Sequence, residues 1–385
     1  MRTLEILDKL ISFPTISRQP NRELLDYVCA LLEPAGAGLE LVESGDGTRA
    51  NLFATIGPQD RPGVVLSGHT DVVPAAGQDW SRDPFRMHRE NGRCYGRGTA
   101  DMKGFVAAAI AAAVQAGQRD LQTPLHLALS YDEEIGCVGV RSLIDALEKR
   151  PLCPALCIVG EPTGMRIASG HKGKVALQAC CTGRSGHSAL APKALNALHL
   201  GAEFIGVLQQ EQDRLAREGA QDPAYDIPCS TVHAGVMRGG TALNIVPDRC
   251  EIDFEIRNLA MDDAGAILGN IRSAAARALA RHQAAFPEAD IAITEVNRYP
   301  GLDTPAGDPV VRLLAEITGA HAEPVKVAFG TEGGLFRNHL GISTAICGPG
   351  HMDQGHKPDE YIKDSQLAAC DRMLARLTDR LEQGL

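Results

Sequence analysis

The run Val64-Val65-Leu66-Ser67-Gly68-His69-Thr70-Asp71 constrains this chain more than any other stretch. Its apolar, β-branched start predicts a buried strand, and Gly68 ends that strand where a histidine and a carboxylate stand two residues apart. Open α/β sheets gather their ligands and reactive groups at strand ends of this kind. A His-x-Asp pair either holds a metal ion directly or uses the carboxylate to orient the imidazole. An ordinary surface turn has the same residues, and taken alone the pair favours that reading.

The pattern recurs along the first half of the chain. Predicted helices over Met1–Leu10 and Asn21–Ala35, the second closed by Pro34 and Gly36, precede strands over Ala50–Ile56 and Val64–Ser67. Residues 79–101 form an irregular stretch longer than structural connections need, which points to a functional loop. Gly96-x-Gly98 within it lacks the third glycine of a dinucleotide fingerprint. An alanine-rich helix over Met102–Ala116 follows, with Asp101 at its N-terminus, where a plain helix cap is the simplest reading. The strand Leu125–Leu129 runs into Asp132-Glu133-Glu134, a helix spans Val138–Lys149, and the strand Leu156–Val159 runs into Gly160-Glu161.

From Lys174 the pattern changes to alternating strands at Val175–Cys181, Thr231–Val236, Cys250–Ile256 and Ile291–Val296, with helices at Ala194–Gln210 and Ala264–Arg281. In Cys250–Arg257, Cys250, Ile252, Phe254 and Ile256 share one face and Glu251, Asp253, Glu255 and Arg257 the other. The expected fold is therefore an α/β domain with a central, mostly parallel sheet flanked by helices (residues 1–173 and 300–385). Into it is inserted an α+β domain, a four-stranded antiparallel sheet with two helices (residues 174–299). A helix at Asp308–Ile317, a strand at Thr344–Cys347 and a long amphipathic helix at Asp364–Leu381 complete the first domain.

With 44% hydrophobic and 22% charged residues, the 385-residue chain has the balance of a soluble globular protein. Its net charge of −10 argues against nucleic acid, which needs clustered Lys and Arg. Acids interrupt the leucines of the first helix, unlike a secretory signal, and the apolar stretch Phe105–Val114 is too short to span a bilayer, so a soluble, cytoplasmic protein is expected. The eleven cysteines form no dense framework and are read as reduced, buried small hydrophobes; Cys153 and Cys157 lack the partners of a structural zinc.

His69, Asp101, Glu133, Glu134, Glu161 and His356 all fall at element ends of the α/β domain. Imidazoles and carboxylates without a suitable cysteine suit Zn²⁺, Co²⁺ or Mn²⁺. The set exceeds what one catalytic zinc takes, whereas a two-metal hydrolytic site with one bridging carboxylate uses it all and leaves a glutamate as base.

The runs Ser67-Gly68-His69-Thr70-Asp71, Gly98-Thr99-Ala100-Asp101-Met102-Lys103-Gly104, Asp132-Glu133-Glu134, Gly160-Glu161-Pro162-Thr163 and His356-Lys357-Pro358-Asp359-Glu360 resemble, in order, the signature of the dinuclear zinc aminoacylase and carboxypeptidase family. The resemblance implies hydrolysis of the amide of an N-acyl amino acid, with N-acetyl-L-ornithine as first candidate and N-succinyl-diaminopimelate or a dipeptide as rivals. It implies two divalent ions, Zn²⁺ first and Co²⁺ second: His69 and Glu161 on one, Glu134 and His356 on the other, Asp101 between them. By the same resemblance Asp71 orients His69, and Glu133 is the base that takes a proton from the attacking water. The inserted domain would serve as a lid and join two copies as a homodimer, so that His187 reaches the partner's site to steady the oxyanion. Asn244, Arg257, Gly330 and Thr331 would hold the substrate's carboxylate end. A cis peptide bond after Asp101 is implied too. His351 competes with His356 as a ligand, and the Pro-Asp-Glu run after His356 favours the latter.

Overall fold

Four strands with almost no polar interruption, Leu125–Ser130, Val64–His69, Leu156–Pro162 and Ser343–Gly348, lie side by side and parallel in the computed structural model, which describes residues 2–320 and 322–385. They are buried along nearly their whole length, as strands covered by helices on both faces must be. Ala50–Ile56 and then Gly38–Glu43 extend the sheet antiparallel on one side, and Ala168–His171 pairs antiparallel with Ser343–Gly348 on the other.

The helix Lys103–Ala116 is buried on nearly every side because alanine allows close approach all round. Two glycines admit it to the sheet. A Cβ at Gly160 would lie 1.9 Å from the Phe105 ring, and one at Gly68 would lie 2.9 Å from the Met102 methyl. Amphipathic helices Thr3–Ile11, Pro309–Thr318 and Asp364–Gln383 contribute Leu7, Leu10, Leu314, Met373 and Leu377 to the same apolar core. Met1, included in the predicted first helix, lies outside the described residues.

The described residues fall into two compact units, one within 1–170, 302–327 and 331–385 and a second of His171–Gly301 with Ala328–Gly330. The second unit holds a four-stranded antiparallel sheet in the order Thr231–Gly239, Arg249–Asn258, Gly173–Thr182, Asp290–Tyr299. Cys250, Ile252, Phe254 and Ile256 face inward against Phe204, Leu208 and Ile271 of the helices Ala197–Glu218 and Ala264–Gln283.

Several elements differ from the sequence expectation. The helix predicted at 194–210 runs from Ala197 to Glu218, since Asn196 caps it by accepting the Leu198 N–H. The strand Gly38–Glu43 and the helix Gly333–Leu340 were not foreseen. All eleven cysteines are free, and no helix among the described residues is long and apolar enough to cross a membrane.

Candidate metal centre

His69 closes the strand Val64–His69 and is 1% exposed. Its Nδ1 lies 2.9 Å from the Asp71 carbonyl oxygen, which only accepts, so Nδ1 carries the proton and Nε2 is left as the ligand atom. The Asp71 carboxylate stands farther from Nδ1, at 3.6 Å, and takes other donors: the Ser17 hydroxyl at 2.8 Å and the N–H groups of Glu133 and Glu134 at 3.0 and 3.3 Å.

Asp101 does not cap the helix it precedes; that helix starts at Lys103 without a side-chain cap. Its carboxylate instead lies between two imidazoles, Oδ1 at 3.2 Å from His69 Nε2 and Oδ2 at 3.2 Å from His356 Nε2. The peptide bond from Asp101 to Met102 is cis. Glu134 reaches His356 Nε2 at 3.0 Å, and Glu161, at the end of Leu156–Pro162, reaches His69 Nε2 at 3.7 Å. The Cys137 thiol donates to Glu133 Oε1 at 3.1 Å. Two ligand triads result, His69, Glu133 and Glu161, and His69, Asp101 and Glu134, the donor atoms of each within 4.8 Å of one another.

Burial works against charge on His69, but Asp101, Glu161 and Asp71 outweigh it and hold the imidazole well above its ordinary pKa. Burial pushes Glu133 to about 8 and Glu134 to about 7, although His69 and, for Glu134, His356 pull the other way. Glu161 is raised by burial and by Asp101. Asp101 goes down, because bonds from His356 and His69 overcome its burial, and the bonds of His356 to Asp101 and Glu134 raise that imidazole to about 10. Among the described residues, these carboxylates form ion pairs only with the two imidazoles. A surplus of enclosed carboxylates facing nitrogen donors is what a pair of divalent cations neutralises, so the donor set fits the ions expected from the sequence.

The remaining candidates have local partners of their own. His351 lays its ring over Gly164, where an added Cβ would be 2.2 Å from it; His356 is the imidazole that meets Asp101 and Glu134. Thr331 spends its hydroxyl on the Gly333 N–H, starting the helix Gly333–Leu340. In the second unit, His187 is exposed and its Nδ1 accepts the Ala189 N–H, while the Asn244 carbonyl accepts the Ser188 N–H. Arg257 is forked onto Glu255 and donates to the Tyr299 hydroxyl at 3.1 Å; a Cβ at Gly330 would lie 2.0 Å from that hydroxyl.

Two buried acids escaped the sequence reading. Glu332 receives the Ser67 hydroxyl at 3.0 Å and the Ser130 hydroxyl, joining the ends of the strands that lead to His69 and Glu133; burial lifts it to about 7 against those bonds. Glu360 holds the segment before Asp101. Its place in the His356–Glu360 run was the available signal, and Glu332 stood directly after Gly330-Thr331.

A cluster of nitrogen and oxygen donors gathered beside the carboxyl ends of parallel strands, together with the family match, defines the class: the protein is a metal-dependent amidohydrolase. The chain belongs to peptidase family M20/M25/M40, whose model matches residues 65–380. It is 32% identical to an acetylornithine deacetylase of Pasteurella multocida over 99% of this chain and 98% of that protein. To one of Myxococcus xanthus it is 34% identical, over 96% and 95%. Among solved structures, an M20 family metallo-carboxypeptidase of Sulfolobus solfataricus shares the fold at TM-score 0.79 and 20% identity, covering 100% of both chains. A dinuclear metal binding M20 peptidase of Bacillus subtilis does so at TM-score 0.71 and 15% identity, over 98% of this chain and 96% of that one.

Proposed function

We propose that the protein hydrolyses N-acetyl-L-ornithine to L-ornithine and acetate, as a cytoplasmic step of arginine biosynthesis. The convergence of His69, His356, Asp101, Glu134 and Glu161 on one cluster carries the hydrolytic reading, and the full-length likeness to acetylornithine deacetylases supports the substrate. His69 and Glu161 would hold one ion, Glu134 and His356 the other, with Asp101 between; Zn²⁺ is the first choice and Co²⁺ the second. When bound, such ions polarise an amide carbonyl and make water a nucleophile near neutral pH.

Glu133 takes the proton from the attacking water and returns it to the leaving amine. Its backbone is held by Asp71 and its carboxylate by Cys137, so the base keeps one orientation through both transfers. His187 works from the partner subunit of a homodimer built through the second unit. With Nδ1 accepting the Ala189 N–H, a neutral ring carries its proton on Nε2, the donor a developing oxyanion needs. Arg257, with Asn244, Gly330 and Thr331, receives the substrate carboxylate, which must displace Glu255 from the guanidinium.

The test is kcat/KM on N-acetyl-L-ornithine, N-succinyl-diaminopimelate and a dipeptide measured side by side. The largest value belongs to N-acetyl-L-ornithine; a larger value on either rival removes ornithine from the assignment.

A further inference from the structure

Glu360 is 1% exposed, and both of its oxygens are committed. Oε1 accepts the N–H groups of Ala100 at 2.9 Å and Asp101 at 3.1 Å; Oε2 accepts the Gly98 N–H at 2.9 Å and the Arg97 guanidinium at 2.8 Å. All these partners are donors. Only a carboxylate, which accepts at both oxygens, satisfies them together, whereas an amide offers one acceptor and turns two donors of its own toward the rest.

These contacts close a loop between distant parts of the chain. Glu360 stands four residues after His356, in a segment further tied by Asp359 Oδ1 accepting the Ser81 N–H at 3.0 Å and by Gln78 donating to the His356 carbonyl at 3.0 Å. Asp101, whose backbone Glu360 holds, has its own carboxylate 3.2 Å from His356 Nε2. Backbone and side chain of Asp101 thus meet the same C-terminal segment at two points.

We propose that Glu360 is a positioning residue: by binding the N–H groups of Ala100 and Asp101 it sets the Asp101 carboxylate between His69 and His356, and so makes the two ion sites depend on each other. The proposal rests on Asp101 lying between the ions, as in the functional reading above. It differs from a simple ion-pair role for Arg97, which any nearby carboxylate would fill. Glu360→Asp keeps the charge but withdraws it by one methylene from the Asp101 backbone, so the two roles predict opposite results.

The experiment compares wild type, Glu360→Asp and Glu360→Gln by amide hydrogen exchange across residues 98–101 in the ion-free protein and by calorimetric titration with Zn²⁺ alone. Both variants are expected to exchange the Ala100 and Asp101 amides about tenfold faster or more, with the sheet still protected, and to bind Zn²⁺ about tenfold more weakly or worse. Unchanged exchange and zinc affinity in Glu360→Asp overturn the proposal, and that variant retains the charge opposite Arg97 should Glu360→Gln not fold. If wild type itself takes up no zinc, the functional reading fails while the exchange result still judges Glu360.

Discussion

Asp71 Oδ1 accepts the backbone N–H of Glu133 at 3.0 Å. A carboxylate just past one strand therefore fixes the turn after the neighbouring strand, where the proposed base, Glu133, sits. Asp71→Asn retains one acceptor and replaces the other with a donor facing the Glu134 N–H or the Ser17 hydroxyl. It is predicted to lower kcat by about 10- to 100-fold, the usual effect of disturbing a group that orients ligands. Wild-type kcat in Asp71→Asn would remove that role.

Glu133→Gln preserves shape and takes away the proton acceptor. Turnover should fall by about 100- to 10,000-fold while two equivalents of metal stay bound, measured by elemental analysis beside initial rates. Loss of an ion along with activity would make Glu133 a ligand and not the base, a role its place in a triad with His69 and Glu161 makes worth separating.

Stability and pH couple through the same cluster. In the ion-free protein Glu133 and Glu134 keep protons that the unfolded chain releases near 4.5, and their folded values are about 8 and about 7. His356, raised to about 10, and His69 stay charged above the ordinary 6.5. Groups with raised values contribute stability that is lost as pH rises through those values. Lys103, lowered by burial to about 7, opposes this only from there upward, and His171 and His126, lowered to about 4, act only below 6.5. The melting temperature of chelator-treated protein should therefore fall from pH 6.5 to 8, and Zn²⁺ should raise it more at pH 8 than at 6.5, because the ligands bind deprotonated. Calorimetric scans at both pH values, with and without Zn²⁺, read this out; a rising melting temperature without metal contradicts it.

How much of this was legible beforehand follows from the range of the interactions. His69, Glu133, Glu134 and Glu161 sit beside apolar strands whose composition marks them, and adjacency in a parallel sheet brings such ends together. The roles of Glu332 and Glu360 were not legible, although both stood in or beside runs already singled out, because their partners lie 202 and 262 positions away, at Ser130 and Gly98. The strand Gly38–Glu43 is only partly buried at the sheet edge, which weakens its apolar signal, and Gly333-Gly334 hides the start of a helix whose first N–H bonds to the Thr331 hydroxyl. Asp101 looked like a helix cap until the fold supplied two imidazoles for its side chain.

The proposed sharing of a site between two subunits predicts complementation. Glu133→Gln and His187→Ala are each expected to be inactive, and after subunit exchange a mixed dimer holds one site with both residues intact. Activity should return to about half of normal per mixed dimer, as two-fold symmetry requires. No recovery despite exchange proven by native mass spectrometry would put His187 in its own subunit's site or outside the reaction.

The most direct measurement is the rate of N-acetyl-L-ornithine hydrolysis by chelator-treated protein as Zn²⁺ or Co²⁺ is added back. Without metal no turnover is predicted, and activity should rise and level off at two equivalents per chain. Undiminished hydrolysis by the metal-free protein, or none at any metal content, would contradict the account.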